Sequence, residues 1–148
     1  MRPTFLPPPV VALVAAAGMY ATAHPAPAAP VGLRIAGLAC AGAGLLLMAA
    51  AAVTMVRQRT TLDPTRPERA RSLVTRGVFA RSRNPIYLAD ALMLLGWALW
   101  LGQPGALLWL VGFVAWIDRV QIAAEEAALE RLFGEAYRAY CARVRRWF

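Results

Sequence analysis

The chain has 148 residues, 59% of them hydrophobic and 16% charged, with a mean hydropathy of +0.50. A soluble domain of this size carries more charge, so the composition points to one compact domain in a membrane, residues 1–148. The net charge of +8 comes from arginines that flank apolar runs, which fits membrane orientation better than nucleic-acid binding. His24 is the single histidine, and Cys40 and Cys141 lie at neither metal-ligand nor disulfide spacing. A lone histidine argues against a histidine metal site and a Ser-His-Asp triad, and no metal is expected.

The first apolar segment runs over about Phe5–Ala23 and the second over about Val31–Val56. Arg2, the apolar stretch and the Ala/Pro-rich residues to Pro30 also imitate a cleavable signal peptide. Pro7-Pro8-Pro9 interrupts that pattern, and a spanning helix is the preferred reading. Either way the later helices keep their orientation. Gly37, Gly42 and Gly44 among alanines predict close helix packing in the second segment.

The loop 57–85 is strongly basic. Arg57, Arg59, Arg66, Arg69, Arg71, Arg76, Arg81 and Arg83 outweigh Asp63 and Glu68. The linker His24–Pro30 and the turn Gly102–Gly105 carry no acid or base. Positive loops stay inside, so this loop and both termini are expected on the cytoplasmic face. Arg34 alone breaks the rule, and it can snorkel from the outer end of its helix.

The third segment, about Ile86–Leu101, follows Pro85, which starts a helix well; Gly102-Gln103-Pro104-Gly105 ends it. The fourth runs over about Gly105–Ile122. Trp97, Trp100 and Trp109 near the turn between them read as interface aromatics. The fold class is therefore an all-α integral membrane protein. About four transmembrane helices precede a cytoplasmic amphipathic C-terminal helix in the tail 123–148. Leu129, Leu132, Phe133, Ala136, Tyr137 and Tyr140 supply its apolar face, and Gly134 marks a break.

Two polar clusters bracket the last apolar hairpin. Arg83-Asn84-Pro85-Ile86-Tyr87 opens it and Glu125-Glu126 closes it. About 40 residues separate Pro85 from Glu125, or two crossings of ~20 residues, so both clusters return to one membrane face. Gly77 permits a tight turn before the first cluster. Free backbone N–H groups near a helix start favour an anion such as a carboxylate, and Arg83 could add a bidentate contact. An interfacial turn anchored by Arg and Tyr accounts for the same residues. Glu125 shares a helical face with Gln121, where a cation such as an ammonium would satisfy it; a solvated first helical turn is the plainer account. Asp90 lies one turn past Tyr87, and an intramembrane carboxylate is a functional candidate unless a neighbouring Arg or hydroxyl binds it. Asp118-Arg119 reads as an interfacial ion pair.

Together these clusters resemble the integral-membrane methyltransferases that include isoprenylcysteine carboxyl methyltransferase and the phospholipid N-methyltransferases. The resemblance rests on Leu73-Val74-Thr75-Arg76-Gly77-Val78-Phe79, Arg83-Asn84-Pro85-Ile86-Tyr87, Glu125-Glu126, Phe133-Gly134-Glu135-Ala136-Tyr137-Arg138-Ala139-Tyr140 and Val144-Arg145-Arg146. It covers roughly Thr60–Phe148, and Pro7-Pro8-Pro9 is similar to many bacterial members. It implies S-adenosylmethionine as methyl donor, bound at the cytoplasmic face. It also implies a lipophilic or membrane-embedded acceptor arriving from the bilayer, with no nucleic-acid partner. By that resemblance Arg71, Ser72, Leu73, Val74, Gly77 and Phe79 form the donor-contacting loop. Arg83, Asn84, Pro85, Ile86 and Tyr87 form the knuckle, and Glu125 and Glu126 the paired glutamates. Asp90, Tyr87 and Asn84 are the catalytic candidates, and Asp90 and Gln121 the acceptor-binding ones. Asn84 stands where the carboxyl methyltransferases have histidine. By the same resemblance Gln121 stands at the position of the prenylcysteine enzymes' substrate-binding arginine, which counts against a carboxylate acceptor. A small four-helix transporter built on Asp90, or a non-catalytic membrane scaffold, are the competing functions.

Overall fold

The computed structural model describes residues 6–23, 28–58 and 72–148. Its helices are α1 (Pro8–Ala23), α2 (Val31–Arg57), α3 (Pro85–Leu101), α4 (Pro104–Trp116) and α5 (Ala123–Arg143). A 3₁₀ turn (Gly77–Ala80) precedes α3, and a π turn (Ile117–Ile122) joins α4 to α5. No strand occurs among the described residues, so the all-α expectation holds.

Prolines set the helix starts. α3 and α4 carry proline in their first turn, where a missing N–H costs nothing. α1 starts at Pro8, leaving Leu6 and Pro7 outside the helix expected from Phe5. α3 stops at Gly102, whose φ of 68° is left-handed and whose N–H returns to the Ala98 carbonyl at 3.0 Å. A Cβ there would also strike that of Ala29 at 2.5 Å.

Two helices are long and apolar enough to cross a membrane: α2, with 27 residues, and the run Pro104–Arg143, with 40. α1 and α3 are shorter apolar helices of 16 and 17 residues. Their outward side chains suit lipid: Leu13, Leu45, Leu46, Leu108 and Val111 are all exposed.

α2 and α3 meet along small residues. A Cβ on Gly37 would lie 2.6 Å from the Gly96 carbonyl oxygen, and one on Gly96 would lie 2.5 Å from that of Gly37. Gly44 sits as closely on Ala89. Close backbone approach of this kind supplies van der Waals packing where lipid removes any hydrophobic drive. Gly42 does not join the seam; nothing lies within 4 Å of its Cβ position. Met19, Tyr87, Leu94, Phe113, Ile117 and Ile122 form the main core between α1, α3, α4 and the π turn.

The tryptophans bind helices together rather than only marking an interface. Trp97 donates its indole N–H to the Ala16 carbonyl at 3.1 Å and stacks on Tyr20. Trp109 covers Gly18. Arg34, the one arginine out of place, lies 4.1 Å over the Trp100 ring, a cation–π contact.

α5 breaks at Gly134 as the sequence predicts, with φ 50° and ψ −119°. Tyr137, Tyr140 and Val144 pack with Leu73, Leu129, Phe133 and Cys141. Leu132 and Ala136 were expected on the same face but are exposed. On each side of Gly134 the packed face is narrower than the apolar stripe: Leu129 and Phe133 turn inward before the break, and Tyr137 and Tyr140 after it.

Candidate functional site

The loop before α3 is held from below and from behind. Gly77 has φ 62°, and a Cβ there would meet the Thr54 hydroxyl at 2.9 Å. Val74 and Phe79 are buried with Ala51, and Met55, Val78 and Ile86 pack on them. Tyr140 donates its hydroxyl to the Phe79 carbonyl at 2.7 Å. Ser72 reaches the Gln58 carbonyl at 3.1 Å. Leu73 joins the α5 cluster. Of the proposed donor loop, Val74 and Phe79 are therefore bedded in protein, and Arg71 lies outside the described residues.

The hairpin brings the two polar clusters together. Tyr87 donates its hydroxyl to Glu125 Oε1, and Gln121 Nε2 donates to the same oxygen at 2.9 Å. Gln121 is 2% exposed, so the face it shares with Glu125 does point into the bundle. Arg83 Nη2 lies 3.1 Å from Glu126 Oε1, and its Nη1 donates to the Cys141 sulfur. The two glutamates thus differ. Glu126 is matched by guanidinium groups, whereas Glu125 meets two neutral donors and no cationic side chain among the described residues.

Asn84 serves the C-terminal segment. Its Nδ2 donates to the Arg146 carbonyl at 3.0 Å, while the Arg83 N–H donates to the Arg145 carbonyl at 3.0 Å. Pro85 is fully buried beside it, at the first position of α3. Asp90 is half-buried and makes no hydrogen bond or ion pair with another described residue. Among the described residues, no arginine or hydroxyl of the kind that would make it structural pairs with it.

Sequence reasoning misses the other half of this site. Arg146 reaches Asp118 Oδ2 with Nη1 at 3.1 Å and Glu126 Oε2 with Nη2 at 2.5 Å. The hydrogen bond to Glu126 holds its guanidinium pKa above the usual arginine value. Asp118 also accepts the Trp147 indole N–H at 2.9 Å. Asp118 therefore pairs with the chain end and not, as expected, with Arg119. The available signal was Val144-Arg145-Arg146, two basic residues past an acidic helix start.

An all-helical, membrane-associated protein with carboxylates and arginines gathered at one end of an apolar bundle is the class these features define. A family model described as phospholipid methyltransferase matches residues 33–136, and the chain belongs to that family. It is accordingly a methyltransferase acting on a membrane-associated acceptor, which sets aside the transporter and scaffold readings. A Haemophilus influenzae protein described as uncharacterized is 48% identical over 62 residues, covering 42% of this chain and 98% of that protein. No solved structure matches.

Proposed function

We propose that this protein transfers a methyl group from S-adenosylmethionine to a lipophilic acceptor at the cytoplasmic face of a bacterial inner membrane, with both termini inside. The single observation that carries the reading is the state of Glu125. It is oriented by Tyr87 and Gln121 but meets no cation among the described residues, while the adjacent Glu126 has two. A carboxylate at the end of an apolar bundle calls for a counter-charge, and the ammonium of an amino-acid moiety provides one. The chemistry supplied by bound S-adenosylmethionine is an electrophilic methyl on a sulfonium.

The chain's own residues hold and shield. Glu125 pairs with the donor ammonium, and Tyr87 and Gln121 keep its oxygen aimed. Glu126 and Arg83 neutralise each other beside it, so the glutamate pair leaves one unmatched negative charge, on Glu125, rather than two. Backbone N–H groups of the loop before α3 that are not already bonded hold the donor carboxylate. Asp90, one turn further into α3, orients the acceptor and takes the proton its heteroatom sheds at a carboxylate oxygen. The apolar walls exclude water and keep the reactants aligned.

Titration calorimetry on detergent-purified protein tests this. The demethylated product of S-adenosylmethionine should bind one site per chain. Glu125→Ala should weaken it by about 2–5 kcal/mol, the cost of leaving a buried charge alone. Equal affinity in the variant overturns the reading.

A further inference from the structure

The segment after α5 leaves the helix at Val144, which is extended, and runs back over the loop before α3. Arg146 is its centre. One guanidinium grips Glu126 with Nε at 3.2 Å and Nη2 at 2.5 Å, and Asp118 with Nη1 at 3.1 Å. Such a fork-shaped contact fixes orientation as well as charge.

The π turn is what lets both acids meet one arginine. In an unbroken α-helix, the eight-residue step from Asp118 to Glu126 would leave them about 80° apart around the axis. The extra residue taken into Ile117–Ile122 swings them back by about 100°. The roll of α5 relative to α4 is thus set at a π turn. Glu125 is adjacent to Glu126, so that roll also decides where Glu125 points.

We infer that Arg146 is a positioning residue of the donor site: by clamping Glu126 to Asp118 across the π turn, it fixes the roll of α5 and keeps Glu125 aimed at Tyr87. The inference rests on the donor reading of Glu125 given above. Arg146 touches neither donor nor acceptor, and acts through the two glutamates.

The test uses the full chain in detergent, with the demethylated donor product as probe. Arg146→Gln should weaken binding by about tenfold or more, the scale of a charge-assisted bond lost. Arg146→Lys, which keeps the charge and loses the fork, should fall between it and the parent; it also serves if Arg146→Gln does not fold. In a Glu126→Gln background, Arg146→Gln should add less than about twofold, since both changes remove one coupling. Trp147→Phe removes another bond from the same segment to Asp118 while sparing Glu126, and should leave affinity within about twofold. Equal losses in Trp147→Phe and Arg146→Gln would make the segment merely structural and overturn the inference. So would parental affinity in Arg146→Gln. If the parent chain binds no probe, the donor reading itself fails; if it binds and Glu125→Ala does not, only the role of Arg146 is decided by these variants.

Discussion

Tyr87 and Glu125 lie 38 residues apart in the chain and share a hydrogen bond, the phenol donating to Oε1. Tyr87 stands in the first turn of α3 and Glu125 in the first turn of α5, so the bond closes the hairpin at its polar end. Gln121 adds a second donor from one helical turn below. A carboxylate fixed by two neutral groups is oriented but not neutralised.

Tyr87→Phe tests that arrangement. It keeps the ring in the core and deletes the donor. Glu125 then retains Gln121 alone and gains freedom to turn away. Affinity for the demethylated donor product should fall by about 1–3 kcal/mol, the scale of a hydrogen bond to a charged group. Calorimetry checks it, with thermal melting as a control for folding. An unchanged affinity would mean that the phenol only fills space.

How much of this is legible in the sequence depends on the kind of signal. Hairpin arithmetic places Pro85 and Glu125 at one end because two spans have a fixed length, and Arg83–Glu126 and Tyr87–Glu125 meet accordingly. Gly134 is legible because a left-handed step needs glycine. The π turn is not, since Ile117–Ile122 contains ordinary helix residues and no residue type encodes the extra one. The clamp on Asp118 escapes for the same reason: its partner, Arg146, lies 28 residues away in an extended tail without periodicity. Leu132 and Ala136 mislead because the packed face is narrower than the apolar stripe, and sequence spacing does not give its width.

The α2–α3 seam makes a prediction about stability. Gly96→Val would drive side-chain carbons into the Gly37 carbonyl and the Ala41 N–H and methyl, all within 3 Å of the Cβ position. Backbone cannot retreat as a flexible side chain can. The variant should lose about 1–3 kcal/mol, the usual cost of overpacking, and melt earlier in detergent. Gly42→Val should melt like the parent, because its Cβ position is open.

The proposed orientation is checked by cysteine labelling in intact cells, on a chain with Cys40 and Cys141 replaced by serine. Ala28→Cys and Gly105→Cys sit at exposed positions beside the uncharged connections and should react with an impermeant maleimide from outside. Arg81→Cys, exposed in the basic loop, should react only after lysis. The motive is that, among the described arginines, Arg34 alone sits at the opposite end, covered by Trp100. External labelling at position 81 would invert the topology and move the site to the other face.

Asp90 separates chemistry from binding. It lies one turn deeper than Tyr87 on α3, half-buried, with no hydrogen-bond or ion-pair partner among the described residues. Such a carboxylate costs free energy unless something outside the chain uses it. Its depth puts it nearer an acceptor arriving from the lipid than the donor's amino-acid end. Asp90→Asn keeps the shape and removes the charge. Affinity for the demethylated donor product should persist within about twofold, because Glu125 is untouched. Turnover should fall by about 10²-fold or more, the scale of a positioned acid or base. The assay incubates the protein with membrane lipid extract and methyl-labelled donor, and follows label into the lipid fraction. Full turnover in Asp90→Asn would remove the residue from the reaction. Loss of donor affinity along with turnover would assign it instead to the architecture of the donor site, as a carboxylate that holds the start of α3 in place.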